Sequence, residues 1–243
     1  MADGLAEFPL IRTKLQRPRL PEDLVPRRRL LDRLHAGVDG KLTLLSAQAG
    51  AGKTTLLAQW LAESPRPSAW LSLDEHDDGL RAFTSYLCAA IQTLLPAACQ
   101  NVRNLLEAAQ TPPPRALVAL LANDLSGALA DPAPGAPDGL ILALDDYHHL
   151  ADPAIAELVA GLVDRLVRQQ IGIAARLEQR QHTGSVGDLV VADQHRSLQA
   201  LQDVLDVVAV GAACPRPADD VPRLGIAKND RLLRLVQLQD AKA

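Results

Sequence analysis

The chain has 243 residues, 48% apolar and 22% charged, which suits one large domain or two small ones and excludes wholesale disorder. Aromatic residues make up only 2%, so the core falls to Leu, Val, Ile and Ala. A net charge of −4 gives no general attraction to nucleic acid, although residues 12–33 carry eight basic side chains against three acidic ones.

Residues 10–29 are rich in Pro and Arg and read as an extended arm. Leu30, Leu31 and Leu34 then make a short helix to His35, ended by Gly37. LTLLSA (42–47) is a continuous apolar run, the pattern of a buried parallel strand. After a Gly-containing turn, 54–64 is a helix with Leu57, Trp60 and Leu61 on one face, stopped by Pro65 and Pro67. A strand over 68–74 follows, then a helix over 83–95 with a Phe83, Leu87, Ala90, Ile91, Leu94 stripe. Residues 111–129 form another helix, and 131–139 a loop. GLILALDD (139–146) is a strand ending in two carboxylates. The helix over 153–167 starts with Pro153 and has Asp152 as its N-cap. Beyond 168 the pattern loosens: 171–176, 188–193 and 204–210 are candidate strands, and 231–239 is weakly helical.

The strongest chemical signal is SAQAGAGKTT (46–55), a phosphate-loop pattern with Ala47 in place of its first glycine. Wrapping a phosphate in backbone N–H groups requires glycine where φ turns positive, a need met by Gly50 and Gly52, with Ala49 and Ala51 between and beside them. Lys53 reaches the β- and γ-phosphates, the Thr54 hydroxyl ligates magnesium, and the helix that continues through Thr55 adds its N-terminal partial charge. The second signal is the apolar strand that ends in Asp145 and Asp146. It delivers carboxylates to the sheet edge where open α/β sheets bind ligands. Asp145 is expected to hold magnesium, largely through water, and Asp146 to polarise the attacking water. Together the two signals imply an α/β P-loop NTPase, a three-layer sandwich with a mostly parallel sheet that binds ATP or ADP with Mg2+.

His148 and His149 beside the aspartates invite a metal reading, but adjacent residues point to different sides of the chain and the sequence shows no third ligand of suitable spacing. Cys88, Cys99 and Cys214 are widely spaced, with no C-x-x-C pair, and indicate neither a disulfide framework nor a zinc site. No apolar run approaches the ~20 residues of a membrane span, and the acidic start carries no signal segment. The expected setting is cytoplasmic, without a membrane partner.

Four segments, 13–34, 44–61, 69–92 and 142–155, together resemble the N-terminal nucleotide-binding module of MalT-like, LuxR-family transcriptional regulators, in the STAND branch of P-loop ATPases. The resemblance runs from about 10 to about 167. It implies a switch that binds ATP, hydrolyses it slowly and self-associates, contacting DNA only through a helix-turn-helix domain outside these residues. It also implies that residues 25–29 lie near adenine and ribose, with Arg27 as the matching basic position, and that Arg176 stands near the family's sensor arginine. Residues 177–243 do not match that family. The expected organisation is therefore an arm and first helix (1–40), an NTPase core (41–176) and a divergent tail (177–243), such as a truncated or frame-shifted gene produces. A truncated, non-catalytic nucleotide-binding or interaction scaffold is the alternative. A small-molecule kinase fits less well, since paired aspartates suit water activation.

Overall fold

The computed structural model describes residues 10–39, 42–47, 49–108, 110–130, 139–166, 171–178 and 233–237. Among these residues five strands form one sheet: β1 (Leu42–Ala47), β2 (Ser68–Ser72), β3 (Leu140–Asp145), β4 (Ile171–Glu178) and β5 (Leu233–Gln237). Their order is β2-β3-β4-β1-β5, and each neighbouring pair runs parallel. Parallel neighbours cannot be joined by tight hairpins, so the chain crosses over between strands through helices. The crossovers run through α2 (Lys53–Glu63), α3 (Leu80–Gln92), α4 (Gln100–Leu106), α5 (Pro114–Ala130) and α6 (Pro153–Leu166), while α1 (Arg28–His35) precedes β1.

The two-residue period of the strands sorts their apolar side chains into two cores. Leu42 and Leu44 on β1 and Leu140, Leu142 and Leu144 on β3 pack with α3–α6, around Phe83, Leu87, Leu117 and Leu158. Leu45 and Ala47 on β1 and Ile141 and Ala143 on β3 pack with α1 and α2, around Leu31, Leu34, Leu57 and Trp60. Both faces of the sheet are thus covered, which is why β1 and β3 are buried along their whole length. The result is the three-layer α/β sandwich with a parallel sheet expected of a P-loop NTPase.

The structure differs from the sequence expectation in three places. The segment expected to be weakly helical near 231–239 contributes β5, paired with β1 from Leu42↔Leu233 to Ser46↔Gln237. Beyond β4, the second edge of β1 carries unpaired N–H and C=O groups, and that demand outweighs the marginal helical preference of a short Leu-rich run. Helix α4 lies in a stretch where no element was expected, because its seven residues bury only Val102 and Leu106 and are too short to show a period. The arm is not extended throughout: Arg12–Leu15 form a 3-10 turn lying against edge strand β2. Covering that edge blocks it from pairing with another chain. The candidate strands at 188–193 and 204–210 lie outside the described residues.

Lys14 pins this turn in place. Its ammonium lies 2.7 Å from carboxylate oxygens of both Asp74 and Asp77 and 5.0 Å from the centre of the Tyr86 ring, while the Ile11 N–H donates to Tyr86 Oη. Burial works to lower the Lys14 pKa, but hydrogen bonds and charge from the two aspartates outweigh it and raise the value. The hydrogen bond from Lys14 holds the Asp74 carboxyl below its ordinary range. The depressed Asp74 pKa contributes stability that is present above the unfolded carboxylate pKa and lost as pH falls through the folded one. The raised Lys14 pKa contributes stability that is lost only at strongly alkaline pH. Lys14→Met is therefore expected to cost about 1–2 kcal/mol near neutral pH. Urea unfolding should show the gap from wild type narrowing as Asp74 takes up its proton.

Candidate functional site

The turn between β1 and α2 is built from the glycines the sequence marks out. Gly50 has φ 76° and Gly52 φ 73°, a left-handed conformation that a Cβ would strain. Gly52 is the N-cap of α2 and its carbonyl accepts the Leu56 N–H at 2.9 Å, so the helix begins at Lys53. Ala49, Gly50, Ala51, Thr54 and Thr55 remain at least partly accessible along this turn. Lys53 is buried, and its ammonium donates to the Ala47 carbonyl at 2.7 Å, folding back over the end of β1.

From the first turn of α2 the Thr54 hydroxyl donates to Asp145 Oδ1 at 3.4 Å, bridging the loop to the end of β3. Two cis oxygens on an octahedral magnesium ion stand about 3 Å apart, so this hard-oxygen pair fits that ion with little adjustment. Asp145 is almost fully buried. Burial pushes its carboxyl above the ordinary range, against the opposing pull of the Arg176 charge and hydrogen bond and of the Thr54 hydroxyl. Asp146, the next residue, has φ 61°, a conformation unusual outside glycine.

One cation spans both acids. Arg176 lies on β4 one step beyond the Leu144↔Ala175 pair, and its guanidinium bridges Asp145 Oδ1 and Asp146 Oδ1. Arg27 approaches from the arm: its guanidinium donates to the Ala51 carbonyl at 2.7 Å, and a Cβ added at Gly52 would come within 3.4 Å of it. Nearby Val25 is 80% exposed. The structure thus gathers the phosphate-loop residues, Asp145, Asp146 and Arg176 at the C-terminal ends of β1, β3 and β4, with Arg27 over the loop.

Sequence reasoning missed two supporting residues. Lys14 anchors the arm that carries Arg27, and a lysine among arginines gives no sign of that. Asp78 accepts the N–H groups of Ala151 and Asp152 at 2.9 and 2.8 Å, tying down the segment after the acid pair. A carboxylate in the acidic string EHDD (75–78) has no pattern that singles it out.

A family model described as an AAA ATPase domain matches residues 25–175. The HTH-type transcriptional regulator MalT of Yersinia pestis (strain Pestoides F) is 39% identical over 149 residues, 61% of this chain and 15% of that protein. MalT of Cronobacter sakazakii (strain ATCC BAA-894) is 38% identical over 148 residues, again 61% of this chain and 15% of the relative. The chain therefore spans about 15% of the length of these curated relatives. Among solved structures, a Walker-type ATPase from Pyrococcus abyssi is 18% identical, with a TM-score of 0.44 over 65% of this chain and 46% of that one.

Proposed function

Since the chain belongs to the AAA ATPase domain family, we propose that it is an ATP-binding, slowly hydrolysing switch module of a MalT-like regulator. The observation that carries this reading is the bridge from Thr54 to Asp145, which joins the loop and the acid-bearing strand into one oxygen-lined site. In this reading the backbone N–H groups from Ala49 to Thr54 cradle the phosphates, and Lys53 turns from the Ala47 carbonyl toward the β- and γ-oxygens. Thr54 and Asp145 hold magnesium, which supplies charge neutralisation along the triphosphate. Asp146 orients and polarises the attacking water. Arg176 must release the two carboxylates before either can act. Arg27 positions the arm over the loop at the nucleoside end. Self-association is the expected output, and any DNA contact belongs to a separate helix-turn-helix domain.

One observation favours the rival reading, a scaffold that binds nucleotide without turnover: Arg176 already engages both aspartates. Calorimetric titration with ATP and magnesium, followed by phosphate release on the same sample, separates the two. The switch reading expects one ATP per chain, dependence on magnesium and slow release. Binding without release leaves the scaffold, and absence of binding overturns both. Among the described residues no helix is long and apolar enough to cross a membrane.

A further inference from the structure

We propose that Asp146, His148 and His149 form a second cation site, for an imidazole-preferring divalent transition ion such as Zn2+, beside the Thr54–Asp145 pair. The inference rests on the turn after β3 and not on the nucleotide reading. Sequence alone offered two adjacent histidines and no third ligand; the backbone supplies the third. Tyr147–His149 form a 3-10 turn with Asp146 as its N-cap, and the His149 N–H donates to the Asp146 carbonyl at 3.1 Å. That turn brings His148 and His149 back beside the Asp146 carboxylate. The left-handed φ of Asp146 folds the chain back to start that turn.

The donor atoms of the three residues lie within 4.8 Å of one another. His148 Nδ1 is 3.7 Å from Asp146 Oδ1, and the two imidazole centroids are 4.3 Å apart, tilted by 34°. Bonds of about 2.0–2.1 Å in a tetrahedral zinc site put neighbouring donors about 3.3 Å apart, a spacing that the His148–Asp146 pair approaches and that the three donors must tighten to reach. The backbone beneath is fixed: Tyr147 is buried, its carbonyl accepts the Leu150 N–H, and Asp78 holds the next two N–H groups. His149 is exposed and gives an ion its entry, while Asp146 and His148 are half-buried. Two imidazoles and one carboxylate select zinc, nickel or copper, whereas magnesium favours the all-oxygen pair next door. An ion here shares the Asp146 carboxylate with Arg176, and so draws Asp146 away from any water it would polarise.

The test is a Co2+ titration of the nucleotide-free full chain, read by visible absorption and by Zn2+ displacement. One Co2+ per chain is expected, with a nitrogen–oxygen spectrum lacking a thiolate charge-transfer band. His149→Ala is expected to weaken binding by at least ~10-fold while leaving MgATP affinity and circular dichroism unchanged. No saturable binding, a thiolate band, or undiminished affinity in both His149→Ala and His148→Ala would overturn the proposal. None of those results touches the nucleotide reading, which the ATP titration decides separately.

Discussion

Lys53→Ala is expected to weaken binding of ATP with magnesium by roughly 10- to 100-fold, on the scale of hydrogen bonds to charged groups. The Lys53 ammonium is buried and donates to the Ala47 carbonyl at the end of β1. Hydrogen bonds from an ammonium to phosphate oxygens are charge-assisted on both sides and stronger than one to a neutral carbonyl, so a triphosphate gains from this side chain. Removing the charge therefore takes most from the complex. Isothermal titration of the variant, beside urea unfolding of the same preparation, reads both quantities. Unchanged ATP affinity in a folded variant would sink the nucleotide reading.

Asp146→Asn is expected to slow phosphate release by about 100-fold or more, the range ascribed to a positioned general base, with ATP affinity changed by a few-fold at most. Asparagine is the informative substitution because residue 146 sits at φ 61°, where Asn is tolerated nearly as well as Asp and a β-branched residue is not. The backbone turn is thus kept and only the negative charge is lost. Arg176 keeps Asp145 as its partner, so the sheet edge does not lose its ion pair altogether. Single-turnover release and equilibrium binding measured together separate a chemical defect from a binding one. Equal loss of both would assign Asp146 a binding role in place of a water-polarising one.

Much of this architecture could be read from local pattern. The alternation of apolar strands with amphipathic helices through residue 166 follows from burial on both faces of a parallel sheet, which writes itself into sequence as continuous Leu, Ile and Ala runs. Gly50 and Gly52 were legible because positive φ leaves few other residues possible. Asp152 was legible as a cap, and its carboxylate accepts the Ala154 N–H at 2.8 Å. Arg176 was half legible: its position at the end of a fourth strand was visible, but its reach to both acids depends on β4 lying between β1 and β3. What escaped depends on distant partners. Lys14 finds Asp77 across 63 positions, and β5 exists because β1 has a second edge to fill. The meeting of His148 and His149 with Asp146 escaped for another reason: it needs a 3-10 turn, and three residues are too few to declare one.

The insertion of β1 between β4 and β5 also bears on how the chain assembles. Leu42 finds one neighbour at Ile173 and the other at Leu233, so the strand that leads into the phosphate loop gains its second flank only when very distant segments meet. Until then β1 offers an open row of amide and carbonyl groups between two oily faces. In a half-assembled chain that ribbon is the natural place for another unfinished copy to add itself, so misassembly during synthesis or refolding would concentrate at the very strand on which ligand binding depends.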